Sequence, residues 1–304
     1  MKMLKTVVAV SVLAGLSAPA FADSGVYGKV NVSVQSSDDG SESITEIKSN
    51  ASRLGFKGSE KLDGGLTMFY KYEFQVDVSD ESGADNIKSR NQYIGIKGAF
   101  GEIVLGRNDT MLKQSQGKLD IFSDYEADIK NLWKGENRMS DSISYKSPKF
   151  SGVQFGISYV QDEDSDDAAT SISATYGDGA LKKGKYYAAI AIDSEMPSKG
   201  KLYDVTRLTA GMKVSGVKLG AMYQMQEEAG SGEEKTGYLV NAQYAMGKYN
   251  LKGQYQTLED DSGLTLGVDR KLGKMTKAFA FYTTFNFDAG EDENYLAVGL
   301  EQKF

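Results

Sequence analysis

The sequence predicts an all-β protein, a sixteen-stranded antiparallel transmembrane β-barrel, and three observations carry that prediction. Apolar residues recur with period two along nearly the whole chain, the spacing of a strand that shows different faces to different surroundings. Sixteen such segments can be counted, an even number. The connections between them are alternately short and long, as in barrels whose hairpins are tight on one rim and extended on the other. The bilayer supplies the cause. An unpaired backbone amide in hydrocarbon costs several kcal/mol, so only helices and closed sheets cross it. A soluble sandwich is the competing all-β architecture, but it needs more inward bulk than the glycine, serine and glutamine found here.

The first 22 residues stand apart. Lys2 and Lys5 precede an apolar stretch from Thr6 to Ala18, and Ala20-Phe21-Ala22 forms an A-x-A cleavage site. This is the pattern of a secretory signal peptide cut after Ala22, with an apolar core too short to span a membrane. The barrel domain is then 23–304.

The strand segments follow in order: 25–35, 43–57, 65–76, 89–97, 102–108, 140–147, 152–160 and 168–176 in the first half. The second half supplies 185–192, 201–213, 217–226, 236–246, 249–257, 263–271, 276–286 and 294–304. Val153, Phe155, Ile157 and Tyr159 alternate with Gln154, Gly156 and Ser158, and Leu264, Leu266 and Val268 with Thr265, Gly267 and Asp269. Phe279, Phe281 and Phe285 line one face of their segment. Aromatic residues are expected largely on the lipid face, with small and polar residues toward the lumen. The short connections include Asp63-Gly64-Gly65, Val214-Ser215-Gly216 and Met246-Gly247-Lys248. Among the long ones, 109–139 is the longest.

Composition removes most other functions. The chain has no cysteine and no histidine, which excludes thiolate nucleophiles, imidazole bases, Ser-His-Asp triads and the usual zinc sites. A net charge of −7 argues against nucleic-acid binding, which needs a basic face. No catalytic residue, metal site or cofactor is expected. Acids crowd the long loops, densest at Asp162-Glu163-Asp164-Ser165-Asp166-Asp167, while lysines such as Lys146, Lys149, Lys182, Lys183 and Lys274 sit at the short connections. The 162–167 run alternates like a calcium loop but lacks its sixth-position glycine and twelfth-position glutamate.

Several motifs in fixed order resemble the Gram-negative trimeric porins. Tyr27-Gly28-Lys29 resembles their first strand, and Ser52-Arg53-Leu54-Gly55-Phe56-Lys57-Gly58-Ser59-Glu60 the second strand and its turn. The stretch from Arg90 to Gly98, with Leu105-Gly106-Arg107, resembles the fourth and fifth strands, and Arg138-Met139-Ser140-Asp141-Ser142 the sixth. The final Phe304 matches the residue this family presents to the barrel-assembly machinery. The resemblance implies a homotrimer embedded among outer-membrane lipid and lipopolysaccharide, with a third loop, 109–139, folded into the pore. Ile121, Phe122, Tyr125, Ile129, Leu132 and Trp133 support that placement independently, because an exposed loop would leave them nothing to pack against. It also implies a pore constriction in which a basic ladder of Lys29, Arg53, Arg90 and Arg138 faces loop acids Asp120 and Asp124. Strict alternation puts Arg90 with the lipid-facing Ile94 and Ile96, so a bulge or a near-rim position is required.

The function so implied is a water-filled channel in the outer membrane for passive diffusion of ions and small hydrophilic solutes. A sugar- or anion-selective channel and a structural or adhesive surface barrel are the alternatives. Clustered loop acids concentrate cations at the mouth, which predicts a modest cation preference.

Overall fold

The computed structural model describes residues 24–79, 86–161 and 168–304. The signal-peptide segment and the acidic run 162–167 lie outside the described residues. Strands β1 (Gly25–Asp38), β2 (Ser43–Ser49), β3 (Arg53–Lys61), β4 (Thr67–Val76), β5 (Ile87–Gly98) and β6 (Gly101–Asp109) come first. A helical turn α1 (Met111–Ser115) precedes β7 (Arg138–Met139), β8 (Ser142–Lys146), β9 (Val153–Val160) and β10 (Ala169–Gly177). Then come β11 (Tyr186–Ser198), β12 (Lys201–Val214), β13 (Val217–Glu228) and β14 (Glu234–Met246). The last four are β15 (Tyr249–Leu258), β16 (Asp261–Lys271), β17 (Thr276–Asn286) and β18 (Glu293–Lys303).

These strands form one antiparallel sheet that closes on itself, β1 pairing with β18 from Lys29↔Lys303 to Asp38↔Asn294. Closure leaves no unpaired edge, the condition for crossing hydrocarbon. Eighteen segments make sixteen staves, because two staves are broken. β2 and β3 pair in succession with the upper and lower parts of β1. β7 and β8 do the same against β6. Each break carries a non-glycine residue in the left-handed region, Ala51 at φ 48° and Asp141 at φ 50°. The first break is satisfied locally: the Asn50 N–H donates to Asn31 O at 2.8 Å and its Nδ2 to Ser33 Oγ at 2.9 Å.

Alternation sorts the two faces as expected in most staves. Val30 and Val34 are exposed outward while Asn31, Ser33 and Gln35, alternating with them, are buried on the opposite, polar face. Leu264 and Leu266 alternate with buried Thr265 in the same way. β17 departs from the expectation for aromatics. Phe279, Phe281 and Phe285 are buried on the polar face, and Tyr282 points outward. Period two identifies two faces without saying which is which, and here the apolar face packs against Phe122 and Tyr125.

Strand ends also differ from the sequence estimate. β11 and β12 extend to a tight turn at Lys199-Gly200, both at positive φ, where a longer loop was expected. The bulge that alternation required at Arg90 is present. The register against β4 shifts between Tyr72 and Phe74, placing two residues of β5, Arg90 and Asn91, against Glu73 alone.

Candidate functional site

Residues 110–137 connect β6 to β7, and both their backbone and side chains engage the polar face of the sheet. Thr110 caps α1, accepting from Lys113 N. The Leu112 N–H donates to Ser171 Oγ at 2.9 Å, and Tyr187 Oη donates to Ser115 O at 2.7 Å. Farther along, Gln254 Nε2 donates to Ala127 O at 2.9 Å and Trp133 Nε1 to Thr257 O at 2.6 Å. Asn241 also donates to Leu119 O. Apolar contacts supply the rest. Ile129, Leu132 and Trp133 pack with Leu181, Met222, Leu239 and Phe285. Tyr125 sits 5.0 Å from Phe279 and 5.2 Å from Phe281 between ring centroids, which explains why that aromatic face is buried.

The arm that returns to β7 is held by charge. Arg207 on β12 is fully buried, donating to Gln224 Oε1 at 2.7 Å, Glu136 Oε1 at 2.8 Å and Lys134 O at 3.1 Å. Its guanidinium also stands 5.7 Å from the Trp133 ring centroid. Guanidinium stays protonated and offers its donors in a fixed fork, which suits three acceptors on two chain segments.

At the tip of the segment Asp124 occupies the left-handed region, at φ 78°. Its carboxylate meets Lys29 Nζ at 2.9 Å and also pairs with Arg53. Burial opposes ionisation of Asp124, but the Arg53 and Lys29 charges outweigh it and hold the carboxyl well below the usual carboxylate range. The other two basic residues of the expected ladder find different acids. Arg90 Nε donates to Glu73 Oε1 at 2.8 Å, and Arg138 pairs with Asp109 at 2.9 Å while its Nε donates to Asn91 at 2.8 Å.

Asp120 is not brought to the basic residues at all. It is buried within the segment, where one carboxylate oxygen accepts from Phe122 N at 3.2 Å and the other from Ile129 N at 3.3 Å. Burial first, then the charges of Asp128 and Glu136, push its carboxyl well above the ordinary range. Its position matches the motif, but the side chain staples one turn to another. Sequence reasoning missed Glu73, Asp109 and Glu136 as partners of Arg90, Arg138 and Arg207. A cross-strand reading offers a signal for Glu73, since it stands opposite the bulge that carries Arg90.

Two cavities meet at Ser123, Asp124 and Tyr125. One of about 390 Å³ is lined by Lys48, Arg90, Arg138 and Glu126 among others. The other, of about 460 Å³, is lined by Lys29, Arg53, Lys252 and Glu301 among others.

A closed sheet with an apolar outer face and charged cavities within defines a transmembrane channel protein. A family model described as Gram-negative porin matches residues 9–290, and the chain belongs to that family. The major outer membrane protein P.IB of Neisseria meningitidis serogroup B is 25% identical over 99% of this chain and 100% of its own length. Outer membrane porin protein 32 of Delftia acidovorans is 26% identical, over 99% and 93%. Among solved structures, an anion-selective porin from Comamonas acidovorans superposes with a TM-score of 0.79 at 22% identity, covering 93% of this chain and 99% of that one. The protein is thus an outer-membrane porin that forms a channel for passive diffusion; the family transports and does not catalyse.

Proposed function

We propose that residues 110–137 lie within the lumen and narrow it, that the narrowest passage runs beside Asp124, and that the passage prefers anions. The observation that carries the anion preference is the lining charge. Five basic side chains line the first cavity and six the second; four acids line each, with Asp124 common to both, so eleven cations face seven anions. The sequence estimate of cation preference rested on acids of the outer loops. Their field acts at the mouth and decays over about 8 Å in physiological salt, whereas a permeating ion touches the lumenal charges directly. The solved porin from Comamonas acidovorans is described as anion-selective, which agrees.

The constriction assigned here consists of Lys29, Arg53, Arg90 and Arg138 facing Asp124, with Glu126 joining through Lys48. Opposed charges across a narrow wet gap orient dipolar solutes and disfavour apolar ones. Asp120 belongs to the segment's internal scaffold. The aromatic rings of β17 do not make a sugar slide, because Phe122 and Tyr125 cover them.

A homotrimer is the assembly we assign; a related solved porin, OmpT of Vibrio cholerae, is described in a trimer form. Residues 1–22 act as the cleaved signal peptide, Phe304 addresses the barrel-assembly machinery, and lipid with lipopolysaccharide surrounds the outer face. Purified protein in a planar bilayer under a KCl gradient tests the reading. Stepwise ohmic currents with a reversal potential of anionic sign are expected; a clear cationic sign refutes the constriction's dominance.

A further inference from the structure

A cavity of about 530 Å³ lies outside that passage. It sits between α1 and the residues after it, strands β8–β10, and the turn 178–184 on the rim of short connections. At about 30 Å³ per water it has room for more than a dozen, far more than a single monatomic ion needs. Four lysines line it, Lys146, Lys149, Lys182 and Lys183, against one acid, Asp178.

That acid is already engaged. Its carboxylate accepts from the backbone N–H groups of Ala180 at 3.0 Å, Lys182 at 2.8 Å and Lys183 at 2.7 Å. These bonds fix the turn and leave little of its charge for the lysines. Lys149 donates to Gly177 O at 3.4 Å, an uncharged acceptor. Lys146 is half-buried and makes no ion pair within 4 Å among the described residues; Glu102 stands opposite it across the β6–β8 ladder, beyond that range. Glu102 and Asp109 offset part of the Lys146 charge and the other three lysines are exposed, so what the cavity holds is a net positive field from four ammonium groups around one engaged carboxylate, which an anion from solution can neutralise. The hydroxyl of Ser173 adds a neutral donor.

We propose that this cavity binds a polyphosphate-type anion, two or more linked phosphates, entering from the short-turn rim and held apart from the constriction. Lysines on three segments, β8, the β8–β9 turn and the 178–184 turn, act as separate point charges. They match a chain of tetrahedral groups with charge on many oxygens better than one planar carboxylate. The site does not depend on the anion preference of the passage.

The test uses intact protein in planar bilayers and in detergent. Tripolyphosphate added on the short-turn side is expected to block current at lower concentration than from the other side, and to bind in titration calorimetry. The triple variant K146Q/K182Q/K183Q should retain open conductance but weaken block and binding by roughly tenfold or more. K274Q, at the β16–β17 turn outside this cavity, should change neither. Calorimetry needs no conduction, so a failure of the site is separable from a failure of the channel reading. Equal block from both sides, undiminished binding by the triple variant, or an equal loss in K274Q overturns the proposal. Citrate binding as tightly as tripolyphosphate overturns the phosphate assignment, as does an acidic peptide that binds more tightly.

Discussion

Replacing Arg207 with methionine should release the returning arm of the 110–137 segment while leaving the barrel closed. The substitution keeps much of the side chain's volume but strands two acceptors, Gln224 Oε1 and Glu136 Oε1, and leaves Lys134 O with the Gln224 amide alone. Removing one partner of a buried ion pair costs about 3–5 kcal/mol, because the other charge is left without compensation. At about 1.4 kcal/mol per factor of ten, the docked-to-undocked ratio of the arm falls by two to nearly four powers of ten. Bonds that do not involve Arg207 remain, among them Trp133 to Thr257 O, the Lys134 N–H to Gln226 Oε1 at 2.8 Å, Gln224 Nε2 to Lys134 O at 3.0 Å and Lys113 Nζ to Glu136 O at 3.0 Å, with the apolar contacts around Trp133. Single-channel records should show larger and noisier conductance, while circular dichroism of the sheet is unchanged. Adding E136Q to R207M removes the stranded charge and should recover part of the wild-type behaviour, giving a coupling energy in a double-mutant cycle. Records from R207M that match wild type in level and noise would refute the reasoning. So would a loss of sheet signal, which would make Arg207 a brace of the barrel itself.

Other variants probe the remaining charges. D124N frees Lys29 and Arg53 from their shared carboxylate and should move the reversal potential further toward anions; no shift would remove Asp124 from the passage. The folded-state carboxyl of Asp124 is depressed, so its stabilising contribution is fully present above the unfolded value of about 4 and is lost only as pH falls through the lower folded value. A carboxyl NMR titration should therefore find Asp124 ionised below pH 4. Asp120 has the opposite sign. Its carboxyl is raised, so the protonated form is favoured in the folded state, and its contribution declines as pH rises from about 4 toward the folded value. D120N should flatten the pH dependence of hydrogen-exchange protection in 120–130, while D120A, which strands the Phe122 and Ile129 N–H groups, should cost about 1–3 kcal/mol.

The barrel was legible because hydrocarbon imposes one rule on every stave. Val30, Val34, Leu264 and Leu266 had to be apolar, and nothing local could override that. Strand interruptions were not legible, since Ala51 and Asp141 adopt left-handed backbone with no glycine to announce it. Motif matching placed Lys29, Arg53 and Asp124 in one cluster, yet it gave Asp120 the same role. Chain position says where a residue's backbone lies, and the N–H groups of Phe122 and Ile129 then decide where its carboxylate turns. The inward aromatic face of β17 was ambiguous for a related reason. Which side of a stave is oily depends on Tyr125 and Phe122, residues more than 150 positions earlier in the chain.

The bonds from 110–137 to the far staves reach across 124 residues from Trp133 to Thr257 and 127 residues from Ala127 to Gln254. No ribosome or chaperone can deliver these contacts early, because their acceptors and donors sit on β15, near the end of the chain. The segment therefore has to wait, with Trp133, Leu132 and Ile129 unburied, until the late staves are in place. With the segment narrowing the lumen as proposed, channel calibre is a property acquired at the last stage of maturation. A barrel caught before that moment would conduct as a wide, weakly discriminating hole, so the cell's exposure to leak depends on how quickly one tryptophan finds one carbonyl.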